Sequence, residues 1–108
     1  MNLTITQTTS PKKIPETITS FGEIFTDHMF IMDYEEGSGW KNHRIVTYEK
    51  LSLDPATAVL HYGQGIFEGL KAYKDTEGII RLFRPEMNLK RFNRSAKRLA
   101  MPEVNEDD

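Results

Sequence analysis

The residues best suited to chemistry crowd into one stretch, 60–74, which runs LHYGQGIFEGLKAYK. His61, Tyr62, Gln64 and Glu68 stand there among Gly63, Gly65 and Gly69. Glycine weakens a strand interior and usually marks a bulge or the close approach of a ligand or a second backbone. A plain buried strand has no use for three of them, so the stretch is expected to carry a site. Tyr62 falls between a short helix and two glycines, where a side chain stands beside open backbone. Tyr62, Phe67 and Phe21 also suit a plain role as core aromatics, the commoner fate of such side chains in strands.

Arg91 is the second candidate. From Arg81 to Arg98 there are seven basic residues and one acid, Glu86, a local +6 that the remaining chain answers with −8 to reach a net −2. Arg91 admits two roles. It can be one more cation on a solvated helix face, as Lys90, Arg94 and Lys97 are. Or it can grip an anion, because it adjoins Phe92 at the border of an apolar stripe and almost no acid lies near it in sequence. A guanidinium fork fits two phosphate oxygens at once.

Several chemistries are excluded. The chain has no cysteine, so disulfides, thiolate metal sites and cysteine nucleophiles are absent. His28, His43 and His61 lack metal-ligand spacing, and no metal site is expected. Gly63-Gln64-Gly65 opens like a dinucleotide fingerprint, but the next glycine is Gly69 and a strand follows instead of a helix. No P-loop, G-x-S-x-G or H-E-x-x-H pattern occurs. No apolar run reaches the roughly 18 residues of a membrane span, and the first residues, MNLTITQTTSPKK, lack the apolar core of a signal peptide. Asn2-Leu3-Thr4 and Asn93-Arg94-Ser95 match the glycosylation pattern, which matters only in a secreted protein. A cationic patch on an acidic chain favours a small anionic ligand over a nucleic acid. No nucleic-acid or membrane partner is therefore expected, and a cytoplasmic location is.

The elements that must position these residues follow from pattern. Residues 1–20 read as a flexible arm broken by Pro11 and Pro15. Strands are expected at 24–34 and 43–50, joined by a glycine-bearing turn, with the first covered on both faces. Asp54-Pro55 is a helix start, with Asp54 as the cap of a short helix. Residues 65–74 and 79–83 form a hairpin around the turn 75–78. Helix 85–100 carries Leu89, Phe92, Ala96 and Leu99 on one stripe. Asn105 is a suitable cap for a further helix, so the chain is expected to end where that helix begins. The sum is an α+β unit, a mostly antiparallel sheet with one helix packed on a face.

The run LHYGQGIFEGLKAYK, followed by RLFRPEMNLKRFNRSAKRLAMP, closely resembles branched-chain amino acid aminotransferases. FGEIFTDHMF and Leu53-Asp54-Pro55-Ala56 match the same family, so the resemblance runs from about Phe21 to Pro102. It implies a two-domain, fold type IV enzyme that uses pyridoxal 5'-phosphate. Arg91, in the N-x-x-R-x-x-R-S pattern, is similar to the arginine that grips the cofactor phosphate. Tyr62 and Phe67 are similar to pocket residues around the substrate's branched side chain, and Phe21 to a further apolar wall.

The resemblance further implies that residues 21–108 are the N-terminal part of the smaller, substrate-pocket domain. The Schiff-base lysine lies in a second domain of the family, so no catalytic residue is assigned here. The implied reaction exchanges an amino group between Leu, Ile or Val and 2-oxoglutarate, within branched-chain amino-acid biosynthesis and in a homodimeric enzyme. The isolated segment is expected to be inactive and marginally stable. The alternatives are another fold type IV enzyme, such as a D-amino acid aminotransferase or aminodeoxychorismate lyase, or a small nucleic-acid-binding domain using the basic helix.

Overall fold

A computed structural model describes residues 2–17 and 20–107. Its chain order is β1 (Thr4–Ile5), β2 (His28–Glu35), β3 (Gly39–Thr47), α1 (Ala58–Tyr62), β4 (Ala72–Lys74), β5 (Ile80–Leu82) and α2 (Pro85–Arg98). The chain divides into two compact units, parted between Ser52 and Leu53. With two helices and two small sheets, one mixed and one antiparallel, it is α+β.

The first unit is built on the β2–β3 hairpin. Its strands pair antiparallel from His28↔Thr47 to Glu35↔Gly39, and the register shifts between Ile31 and Asp33. Asn42 and His43 there oppose Met32 alone, a bulge, and Asn42 takes the left-handed φ of 55° that Asn tolerates best among non-glycine residues. Arg44 braces the bulge. Its Nη1 and Nη2 donate to the two oxygens of Asp33 at 2.9 and 3.2 Å, and Asn42 Nδ2 donates to the same carboxylate at 3.1 Å. The hydrogen bonds from Arg44 are the main reason the Asp33 carboxyl titrates below its usual range.

β2 starts later than the apolar pattern, which begins at residue 24. Lys12 occupies the preceding backbone, its Nζ donating to the carbonyls of Phe25 and Thr26 at 3.1 and 3.3 Å. The strand is half-buried rather than covered on both faces, with Phe30 and Tyr34 exposed. The N-terminal residues expected to form a flexible arm touch the hairpin at three places. Thr4–Ile5 pair parallel with Arg44–Ile45, Thr8 N–H donates to His28 Nε2 at 2.9 Å, and Lys12 N–H donates to the Asp27 carboxylate.

The second unit departs further from expectation. The single antiparallel sheet is two sheets: β1-β3-β2 in the first unit, and here β4-β5 alone, antiparallel from Ala72↔Leu82 to Lys74↔Ile80. The expected strand 65–74 therefore pairs only over its last three residues. Side chains have already taken backbone groups that a ladder would use, since Glu68 accepts the Gly69 N–H at 2.8 Å and Asn88 donates to the Gly69 carbonyl at 2.7 Å.

The short helix α1 begins at Ala58 rather than at Pro55. Asp54 caps the preceding turn instead, its side chain accepting the Ala56 N–H at 2.7 Å and its carbonyl the Thr57 N–H at 2.9 Å. Gly63 ends α1 in the left-handed conformation, φ 61° and ψ 25°, where a glycine carries no Cβ penalty.

The helix α2 is where the sequence puts it, with Pro85 in its first turn. Its C-terminus closes on Ala100, left-handed at φ 52°, as Met101 N–H reaches the Ala96 carbonyl at 2.9 Å. The face it buries takes in the expected apolar stripe only in part, at Ala96 and, half-buried, at Phe92. Leu89 and Leu99 are exposed, whereas Asn93 and Ala96 are the buried pair among the described residues. The reason is the partner. Instead of lying on a sheet, α2 is gripped by irregular backbone on either side of it, which asks for amides: Gln64 donates to the Leu99 carbonyl at 2.9 Å, Asn88 binds Gly69, and Asn93 binds Val104. Asn105, expected to cap a further helix, accepts the Asp107 N–H at 3.2 Å within a turn.

Candidate functional site

Glu68, Gly69, Asn88 and Arg91 form the densest polar constellation of the second unit. The extended segment after α1 brings Glu68 alongside the first turns of α2, where Asn88 and Arg91 sit three residues apart on one side of the helix. Arg91 Nε donates to Glu68 Oε2 at 2.7 Å, and Arg91 Nη2 donates to Glu68 Oε1. Glu68 Oε1 also accepts the Gly69 N–H at 2.8 Å and faces Asn88 Nδ2 at 3.4 Å. The carboxylate is thus the hub of the cluster. The Arg91 hydrogen bonds above all, then the Gly69 N–H and Asn88, hold it at a pKa of about 2 against opposing desolvation. The same bonds push the Arg91 guanidinium upward, so both partners stay charged across the working pH range.

This corrects one premise about Arg91. Its neighbours along the chain are indeed basic, yet it has an acid, Glu68, supplied from 23 residues earlier. Nor is it half-sunk at a core border, for its side chain is 57% exposed while that of Glu68 is only 15% exposed. More than half of the Arg91 side chain therefore stays open to solvent, while Glu68 engages its Nε and Nη2.

The aromatic candidates are equally open. Tyr62 is 87% and Phe67 92% exposed, and Phe21 is fully exposed, so none is a core aromatic of the unit that holds it. Tyr62 is the last residue of α1, its ring tilted against His61 with centroids 6.5 Å apart, and Phe67 immediately precedes Glu68. Among the described residues no ring contact joins Tyr62 to Phe67, and Phe21 belongs to the first unit. Among the opening glycines, Gly65 comes close to a neighbour, since a Cβ on it would meet Val59 Cγ2 at 3.0 Å. Gly69 borders open space.

Among the described residues, two surface grooves are seen in the first unit. One is polar and runs past Thr4, Thr6, Asp33 and Arg44; the other is more apolar, between Ile14, Phe25 and Tyr48. Neither includes a candidate residue. Among the described residues no cluster of His, Asp and Glu has the form of a metal site, and no helix is long and apolar enough to cross a membrane.

Sequence reasoning passed over Glu68 as a partner, and met Asn88 only within the N-x-x-R-x-x-R-S pattern and Asn93 only within a glycosylation pattern. Glu68 stood within the stretch singled out, but nothing local links it to Arg91.

No protein-family model matches the chain. Individual proteins do. The chain is 56% identical over 87 residues to branched-chain-amino-acid transaminase 1 of Bacillus subtilis, a match covering 81% of this chain and 24% of that protein. It is 50% identical over 103 residues to branched-chain-amino-acid aminotransferase 2 of the same organism, covering 95% and 28%. It is 52% identical over 87 residues to the branched-chain-amino-acid aminotransferase of Mycolicibacterium smegmatis, covering 81% and 24%. The chain thus spans about a quarter of the length of the curated relatives it matches.

Proposed function

We propose, from the premise that this chain belongs to the branched-chain-amino-acid aminotransferase family as a partial segment of such an enzyme, that the whole protein exchanges an amino group between Leu, Ile or Val and 2-oxoglutarate. The observation that carries this is the 50–56% identity to these enzymes over most of the chain. Neither a nucleic-acid-binding domain nor another substrate class is favoured by it. The proposal includes fold type IV, pyridoxal 5'-phosphate as cofactor, a cytoplasmic homo-oligomer, and residues 21–108 as the start of the substrate-pocket domain behind an N-terminal arm.

Arg91 would hold the cofactor phosphate. The fit is chemical. A guanidinium has five N–H donors in a rigid fork, and Glu68 engages only the Nε and one Nη2 donor. The Nη1 edge is left for phosphate oxygens. Once bound, the cofactor supplies an electron sink for the substrate's α-carbon; this segment contributes binding and orientation. Tyr62 and Phe67 would wall the substrate's side chain, and their exposure leaves their faces available for that purpose. An apolar pocket of that kind distinguishes side chains by about 1–3 kcal/mol per methylene.

The test is amino transfer to 2-oxoglutarate by the full-length protein, with leucine and D-alanine as competing donors. Leucine is expected to be preferred by a wide margin, and preference for D-alanine would end the assignment.

A further inference from the structure

We propose that Glu68 is the positioning residue of Arg91, locking the guanidinium through Nε and Nη2 so that the Nη1 edge is presented in one orientation to a phosphate monoester. This rests on the phosphate-gripping role given to Arg91 above and adds the residue that makes the grip directional.

Comparison with the other ion pairs of the chain carries the inference. Lys41–Glu35 and Arg84–Glu86 are exposed on both sides, at 42% and 56% and at 61% and 57%. Pairs of that kind hold no fixed geometry and contribute little. Arg91–Glu68 has the acid far more enclosed than the base, as Lys12–Asp27 and Arg81–Asp75 also do at 58% and 21% and at 64% and 25%, but it alone of these three joins its side chains by two hydrogen bonds. The acid is also fixed independently of the arginine. The Gly69 N–H donates to Oε1, and Asn88 both faces Oε1 and ties down the Gly69 carbonyl at 2.7 Å. The order of constraint therefore runs from α2 through Asn88 to the 68–69 backbone, then to the Glu68 carboxylate, and only last to Arg91. A carboxylate held that way orients its donor partner, as outer partners orient the ligands of a binding site. Two parallel N–H···O bonds fix the plane of the guanidinium as well as its position.

Charge gives the idea a sign that can be tested. A carboxylate beside an anion site repels the anion. If Glu68 did no more than neutralise Arg91, its removal would strengthen phosphate binding. If it positions Arg91, removal weakens binding even though a repelling charge has gone, because the ordering of the side chain must then be met on binding.

The experiment uses the full-length apoprotein with pyridoxal 5'-phosphate and, as the control lacking the phosphate, pyridoxal. Glu68→Gln is expected to weaken pyridoxal 5'-phosphate about tenfold and to leave pyridoxal unchanged. Binding as tight as the unaltered protein or tighter in Glu68→Gln, with Arg91→Gln weakened, overturns the positioning role and leaves the phosphate grip standing. Unchanged binding in Arg91→Gln removes the phosphate grip itself and the positioning role with it. A spectroscopic readout guards against a variant that fails to fold. In the unaltered protein the Arg91 Nε–H resonance is expected to exchange slowly with water, unlike that of Arg94. Equal exchange at the two arginines refutes the lock without any substitution.

Discussion

Replacing Asn93 by Ala removes the pin that holds residues 101–106 to α2. Asn93 is 6% exposed. Its Nδ2 donates to the Val104 carbonyl at 2.9 Å and reaches Glu106 Oε1 at 3.3 Å, and its Oδ1 accepts the Val104 N–H at 2.8 Å. The two bonds to Val104 close a ring between side-chain amide and backbone, as one residue pairs with another in a sheet. A net hydrogen bond is worth about 0.5–1.5 kcal/mol, so the pair contributes roughly 2 kcal/mol. The contact to Glu106 is long and adds little. Val104 is only half-buried, so water meets part of the lost bonding and the full desolvation penalty does not apply. At 1.4 kcal/mol per factor of ten, protection of the Val104 amide against hydrogen exchange should fall about 30-fold in Asn93→Ala. The amides within α2 should change far less, since their own bonds remain. Arg94→Ala, on the exposed side of the same helix, is the control and should leave Val104 unaffected. Undiminished protection of Val104 in Asn93→Ala, with α2 intact, would refute the reasoning by showing that the segment is held elsewhere.

Two substitutions at left-handed residues should act in opposite directions. Gly63→Ala places a Cβ at φ 61° and should destabilise the unit by about 1 kcal/mol, whereas Ala100→Gly relieves φ 52° and should stabilise it by about 0.5–1 kcal/mol; urea midpoints report both. Asp75 accepts the N–H groups of Glu77 and Ile79 and the Arg81 Nε within the β4–β5 turn, so Asp75→Ala should abolish the slow exchange of the Ile79 amide while leaving α2 protected. Glu68 ionises at about 2 in the fold against 4.5 for the free side chain. Its contribution is therefore complete above about pH 4.5 and lost as pH falls towards 2. Carbon NMR of the Glu68 carboxyl should show the low midpoint, Arg91→Gln should move it upward, and an unmoved midpoint would discard the pair as its cause.

What was legible in the sequence was local. The 3.6-residue period together with Arg84-Pro85 located α2, and the glycines at 37 and 39 located the first hairpin turn, because each signal sits within a few residues of the structure it specifies. The same signals misjudged the extent of strands. Residues 24–27 and 65–71 have strand composition, but Lys12, Asn88 and Glu68 bond backbone that a strand would have used, and composition does not encode that competition.

Asn93 shows the limit most plainly. Within Asn-Arg-Ser it matches a glycosylation pattern that matters only in a secreted protein, and in the fold it is one of two buried residues among those described. Its fate was decided by what lies against the helix. Irregular backbone needs hydrogen bonds, and a leucine facing it would leave the Val104 N–H and carbonyl unmet, so an amide stands there, beside the apolar stripe. The same logic recovers Glu68. A basic helix next to a glycine-bearing segment with a single acid has one place to find a partner. The question to ask of Arg91 was which acid the fold could bring to it, rather than whether an acid lay nearby in sequence. Once that acid is Glu68, the stretch 60–74 and the basic helix are joined through one carboxylate, and under the proposed positioning role the first fixes the direction in which the second holds its charge.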